Sequence, residues 1–173
     1  EDGHTRKSDS VEGDASAPFD ASAPAVLFGR NGDPAFAAFS NFAAAPIVVD
    51  GLEYPTVEHY YQACKATDAA GHELIRAAPH PAKAKRLGRK VNLGPDWESA
   101  KIDVMRRGLM AKFTQHPGPR ALLLSTGSRP IHEASEHDAE WGWMDGRGRD
   151  LLGRLLVEVR AALRGSVGAR PFC

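Results

Sequence analysis

Apolar and polar positions divide this chain into a silent start and a patterned remainder. Residues 1–24 show no apolar period and are rich in Ser, Ala, Asp, Glu and Pro, which predicts a flexible acidic tail or linker. Patterning begins near Val26. VLFG (26–29) reads as a short strand, and Asn31-Gly32-Asp33-Pro34 as turn chemistry after it. PIVVDGLEYP (46–55) gives two extended runs around Asp50-Gly51, a strong local hairpin signal.

Beyond Pro55 the period turns helical. Thr56 is a suitable N-cap for VEHYYQACKA, giving a helix over 56–66. Short helices are predicted around 71–78 and 81–88. Asp96 is placed to cap a longer helix, about 97–113, with Trp97, Val104, Met105, Leu109 and Phe113 on one side. A further helix is predicted at 118–125, a strand at 130–134 within a loop-rich stretch, and a final helix over about 150–164. The last puts Leu152, Leu155, Leu156, Val159 and Leu163 on one face. The sum is an α+β fold: a helix-rich single domain, 25–165, with a small β element and a short tail at 166–173. No internal repeat and no βαβ alternation occurs, which disfavours Rossmann and TIM architectures.

Composition narrows the class. With 173 residues, 42% hydrophobic and 25% charged, a collagen, a coiled coil and a wholly disordered chain are excluded. No apolar run approaches the ~18 residues of a membrane span, and no secretory signal pattern is seen, so no membrane partner is expected. Cys64 and Cys173 form no CxxC pair, which argues for a reducing, cytoplasmic setting and against a cysteine zinc site. The 22 bases and 22 acids balance. Residues 1–24 hold six of the acids and two of the bases, leaving 20 bases against 16 acids, a net +4, for the rest. Residues 76–90 carry six bases and no acid, whereas 131–150 carry six acids and two arginines. Such a body can receive an anion at one place and hold carboxylates at another, or simply present two solvated faces.

The sharpest candidate chemistry lies on the 56–66 helix. Glu58, Tyr61, Gln62 and Lys65 are spaced i, i+3, i+4, i+7 and share one face. Val57, Tyr60, Ala63 and Cys64 are left to pack. The polar stripe suits either a pocket wall or a solvated surface. HEASEHD (132–138) lacks the HExxH spacing, because Glu136 occupies the place of the second histidine; no metal is expected. The glycines of DGRGRDLLG (145–153) precede a helix as in anion-binding loops, without a complete phosphate-loop pattern. Trp97, Trp141 and Trp143 are open to two readings, packing or stacking on a base or sugar.

FSNF (39–42), DGLEYPTVEHYYQACKA (50–66), DW (96–97), MAKF (110–113), LLSTG (123–127), IHEASEHDAEWG (131–142) and LLGRLLVEVR (151–160) follow one another in this order. The ordered set resembles the NADAR family, also called YbiA-like, across about residues 26–164. The resemblance implies a helix-rich α+β fold and an N-glycosidase without a cofactor. Some members hydrolyse phosphoribosylamino pyrimidine intermediates of riboflavin synthesis. Others remove ADP-ribose from guanine in nucleic acid, including partners of DNA ADP-ribosyltransferase toxins. The expected partner is therefore ADP-ribosylated nucleic acid or a small phosphoribosyl metabolite, with an ADP-ribosyltransferase encoded nearby and the enzyme a monomer. A non-catalytic ADP-ribose-binding module is the reading from another class.

Glu58 and Lys65 match the family's EH…QA.K positions, Asp138 and Trp141-Gly142 its D..WG element, Trp97 its DW, and Asn41 and Phe42 its SNF. By resemblance Lys65 becomes the nucleophile of a Schiff-base route, with Glu58 transferring protons and Asp138 holding ribose hydroxyls or water. The alternative is a carboxylate pair, Glu58 and Asp138, flanking the bond. Asn41, Phe42, Tyr61, Gln62, Trp97, Trp141 and Gly142 are then substrate-binding, and Lys83 and Arg86 are expected to hold phosphate. Trp143 and Asp150 depart from the family, which often has glycine and asparagine there.

Overall fold

The computed structural model describes residues 22–167, with the side chains of 166 and 167 left aside. The tails expected over 1–24 and 166–173 lie almost wholly outside the described residues. In chain order the elements are β1 (Val26–Phe28), a 3-10 helix (Pro34–Phe39), β2 (Ile47–Val49), β3 (Leu52–Tyr54), α1 (Val57–Ala63), α2 (Ala69–Arg76), α3 (Pro81–Gly88), α4 (Trp97–Gln115), α5 (Pro117–Ser125), β4 (Ile131–Glu133) and α6 (Leu151–Val167).

β2 and β3 form the antiparallel hairpin that Asp50-Gly51 signals, with Ile47 opposite Tyr54 and Val49 opposite Leu52. Asp50 at φ 52° and Gly51 at φ 78° are both left-handed, the two-residue turn whose twist suits a hairpin. The second pair was not readable. β1 runs parallel to β4, Val26 against Ile131 and Phe28 against Glu133, so the start of the domain joins a segment more than a hundred residues on. The core lies between this pair and the helices. Phe39 meets Phe28 and Phe113 edge-on, with ring centroids 5.8 and 6.0 Å apart. α6 buries Leu152, Leu155, Leu156, Val159 and Leu163, the face its period marks.

Two local expectations are corrected. Asn31-Gly32-Asp33-Pro34 is more than a turn: Asp33 accepts a hydrogen bond from the Ala35 amide (2.9 Å), and with Pro34 in the first turn it starts the 3-10 helix. Asp96 precedes α4 at φ −94°, ψ 2° and makes no side-chain cap. It is not in the extended conformation that aims a cap side chain, and its carbonyl instead receives the Ser99 hydroxyl at 2.8 Å.

Candidate active site

α1 is short and buried at all seven positions, so its polar stripe is not a solvated surface. Thr56 caps it through the His59 amide (3.2 Å). The His59 ring joins α1 to the end of α2, with Nε2 donating to the Ala78 carbonyl (3.0 Å) and Nδ1 accepting from the Thr56 hydroxyl (2.8 Å). α1 ends at Ala63, earlier than its period suggests. The Lys65 and Ala66 amides then close a tighter i→i+3 turn onto Gln62 and Ala63 (3.2 and 3.1 Å), and Lys65 still faces the same way as Glu58.

Glu58, Tyr61, Gln62 and Lys65 line one cavity of about 310 Å³. The turn at 40–42 brings Asn41 and Phe42 to it, α4 brings Trp97, Glu98, Lys101 and Met105, and the segment after β4 brings Asp138, Glu140 and Trp141. Of the twelve site residues named from the sequence, Gly142, Lys83 and Arg86 do not line it. Gly142 acts at one remove: a Cβ there would come within 2.7 Å of Ser135 Cβ and 2.9 Å of the Asp138 carbonyl. That close approach lets its amide bond the Asp138 carbonyl (2.9 Å), while Asp138 Oδ1 accepts from the Trp141 amide (2.9 Å). The D..WG element is thus a turn that fixes the Asp138 carboxylate at the cavity.

Lys83 and Arg86 lie on another face of α3, and Lys85 is the base that reaches the cavity. At 100° per residue Lys85 cannot share the Lys83/Arg86 face. Arg89, four residues on from Lys85, also acts electrostatically on Lys65. Glu133, inside the HEASEHD stretch whose spacing does not fit a zinc helix, lines the cavity although no motif marks it. It ends β4, opposite Phe28, and projects into the cavity. His132 turns away to bond Asp150 at 2.5 Å and stack on Trp143. Alternation along a strand separates the two, a signal that the strand at 130–134 already contained. Among the described residues no three His, Cys, Asp or Glu side chains form a possible metal-holding group.

The charges are arranged unequally. Lys101 pairs with Glu98 (2.5 Å) and Glu140 (2.7 Å), which hold its amine above the ordinary value. The half-buried Lys65 amine is pulled down by burial, against the pull of Glu58, with Lys85, Arg89 and Lys101 lowering it further. It lies 5.2 Å from the Tyr61 ring centroid and 5.8 Å from that of Trp97. Burial pushes the Glu58 carboxyl up, while the Gln62 amide donating to it at 2.7 Å opposes this. Burial, with Asp138 nearby, pushes Glu133 up to about 7. A less basic amine therefore faces carboxyl groups that keep their protons longer, a combination suited to nucleophilic and acid–base work.

The aromatic groups also divide their work. Tyr61 sits between Trp97 and Trp141, at 5.2 and 5.4 Å between centroids. With 8% and 9% exposure, the two tryptophans mainly build the wall. Phe42, 41% exposed with Lys85 Nζ 5.8 Å from its ring centroid, is the aromatic face at the mouth. Trp143 and Asp150, the departures from the family pattern, both contact His132 on the far side of β4, away from this cavity. Asp150 stands at φ 54°, a conformation asparagine also tolerates well.

The NADAR domain model matches residues 27–164. The chain is 49% identical over 128 residues to "N-glycosidase YbiA" of Escherichia coli K12, covering 72% of this chain and 80% of that one. It is 40% identical over 152 residues to "Riboflavin biosynthesis protein PYRR, chloroplastic" of Zea mays, covering 78% of this chain and 24% of that longer protein. The NMR structure of E. coli YbiA superposes with a TM-score of 0.76 at 43% identity, covering 84% of this chain and 89% of that one.

Proposed function

The chain belongs to the NADAR family, with a relative named N-glycosidase YbiA, and from that premise we propose that it hydrolyses the bond between ribose C1 and an amino nitrogen carried by a purine or pyrimidine base, with guanine carrying ADP-ribose in nucleic acid as its substrate. The observation that carries the chemistry is the convergence of Lys65, Glu58 and Glu133 on one cavity with the amine lowered and both carboxyls raised. The ribose ring opens as O4′ leaves C1 and takes the Glu133 proton, giving an iminium with the base nitrogen. The neutral Lys65 amine adds to C1, and Glu58 carries its surplus proton to the departing nitrogen. The C1–N bond breaks and a lysine imine remains. Water, oriented by Asp138, adds to the imine and expels Lys65, releasing the sugar.

Substrate choice rests on the mouth. A cavity of about 310 Å³ takes a ribose and a ring but not the rest of ADP-ribose. The remainder would extend past exposed Phe42 and Lys85, toward a helix whose other bases form no ion pair among the described residues. A second reading, a phosphoribosylamino pyrimidine, is favoured by the riboflavin-biosynthesis relative.

The test offers both substrates side by side to wild type and Lys65→Arg, with borohydride present. Restoration of unmodified guanine within the nucleic acid and an ADP-ribosyl adduct on Lys65 by mass spectrometry are the expected result. Robust turnover by Lys65→Arg would return the chemistry to a carboxylate pair. Turnover of the pyrimidine alone would establish the second reading.

A further inference from the structure

Lys112 stands apart from the lysines of the cavity. It lies on α4, is fully buried, and does not line the site. Its Nζ donates to the Ser40 carbonyl at 2.8 Å and lies 5.5 Å from the Phe113 ring centroid. Among the described residues no carboxylate pairs with it, and burial alone pulls its amine down to about 7. An amine in such a place is costly to bury, and an unbranched apolar side chain of similar length would fill the space at lower cost. Folding therefore gives little reason for a lysine here.

The group it holds has a place in the site. The Ser40 carbonyl also accepts the Ala43 amide (3.1 Å), closing a four-residue turn, and the Ser40 hydroxyl accepts the Phe42 amide (3.2 Å). The two central residues of that turn are Asn41 and Phe42, both at the cavity. The Asn41 carbonyl accepts the Glu58 amide at 3.1 Å. Asn41 Nδ2 approaches Met105 Sδ at 3.3 Å, leaving its buried Oδ1 without a donor. The turn is thus held from two sides, by Lys112 of α4 and by the first turn of α1.

We propose that Lys112 is a positioning residue: from behind the cavity it fixes the 40–43 turn so that Asn41 and the Phe42 ring meet the substrate in register with Glu58. This rests on the N-glycosidase reading only for its kinetic consequence, and the placement of the turn can be tested without it. In Lys112→Met the Ser40 carbonyl keeps the Ala43 amide, so the variant should fold.

Three measurements test the assignment. The melting temperature of Lys112→Met should equal or exceed that of wild type at pH 7, because a buried amine has been removed. Hydrogen exchange at the Glu58 amide, which donates to Asn41, should speed up by about tenfold, the effect of losing one hydrogen bond. KM should rise by a similar factor, about tenfold, with kcat changed less than about threefold. Adding Lys112→Met to an Asn41→Ala/Phe42→Ala background should then change KM by less than about twofold, because the shared route is already lost.

A lower melting temperature with unchanged Glu58 exchange and KM would overturn the assignment and leave Lys112 a packing residue. KM effects that multiply in the combined variant would overturn it too. If no N-riboside is turned over at all, the exchange result still decides the positioning role, and only the function reading falls.

Discussion

Gly88→Ala sets two calculable effects against each other. Gly88 closes α3 against α1. Intrinsic propensity favours alanine in a helix by about 1 kcal/mol. A Cβ at position 88, however, would stand 2.0 Å from Gln62 Oε1, 2.9 Å from its Cδ and 3.0 Å from its Cβ. The amide end could swing aside, but the Gln62 Cβ is fixed to α1. Gln62 cannot retreat without giving up the 2.7 Å bond by which its amide holds Glu58. Overpacking costs roughly 1–3 kcal/mol, and a hydrogen bond to an ionisable group lost from a buried site about 1.5–3 kcal/mol. After the propensity gain, a net destabilisation of about 1.5–5 kcal/mol remains. For a chain of this size that lowers the melting temperature by roughly 3–20 °C. Because Glu58 loses its orientation, kcat/KM should fall by at least about tenfold, one lost charge-assisted hydrogen bond. Circular-dichroism melts and steady-state kinetics measure both. In a Gln62→Ala background the clash is gone, so Gly88→Ala should there be neutral or stabilising by about 1 kcal/mol. A melting temperature at or above wild type for Gly88→Ala alone, with activity intact, would refute the claim that Gln62 is held in place by α3.

The pH profile of kcat should be a bell: the acid form of Glu133, with its pKa pushed up to about 7, is lost as pH rises through neutrality, while the neutral form of Lys65 grows with pH. Glu133→Gln should lower kcat and flatten the alkaline limb near pH 7, and a bell unchanged in shape would count against its role. Glu133 also stabilises the fold in its protonated form, a contribution fully present below the ordinary glutamate value and lost as pH rises through about 7. Asp150→Asn should raise the melting temperature at pH 8 and gain progressively less toward acid pH, because burial raises the Asp150 pKa and makes its ionised form the costly one. A drop at pH 8 would show that its bond to His132 outweighs that cost.

Most elements were legible because local rules govern them. Asp50-Gly51 determines its hairpin without help, and the leucines of α6 mark their own buried face. The stripe on α1 was legible as a set, since its i, i+3, i+4, i+7 spacing survives even where the helix tightens into a 3-10 turn at Lys65. What was not legible depends on segments distant in sequence. The parallel β1–β4 pair leaves no local trace, and without it nothing places Glu133 opposite Phe28 and beside Glu58. That Lys85, rather than Lys83 or Arg86, lines the cavity is hidden for the same reason. A run of bases on a helix does not say which face meets the cavity, and that is decided by the contact of Gly88 with Gln62.

Three lysines carry the point furthest, because one residue type is put to three uses by its surroundings. Lys101, bound to Glu98 and Glu140, is held charged and serves as a strut between α4 and the loop after β4. Lys65 lacks an ion pair among the described residues and lies half-buried beside two aromatic rings, and burial lowers its amine's hold on the proton, as the proposed attack on carbon requires. Lys112 lies wholly inside and meets only a carbonyl among the described polar partners, where an amine can neither attack substrate nor gain a counter-charge. Exchanging Lys65 or Lys112 for arginine would not be conservative: the guanidinium remains charged at every working pH and needs more donors satisfied than these two sites offer. Lys101→Arg should be the mildest, since two carboxylates can take a fork of donors, whereas at position 65 the proposed nucleophile disappears. The same substitution thus separates the three environments, and a finding that Lys65→Arg and Lys101→Arg retain equal activity would mean that the lowered amine of Lys65 has no part in the chemistry.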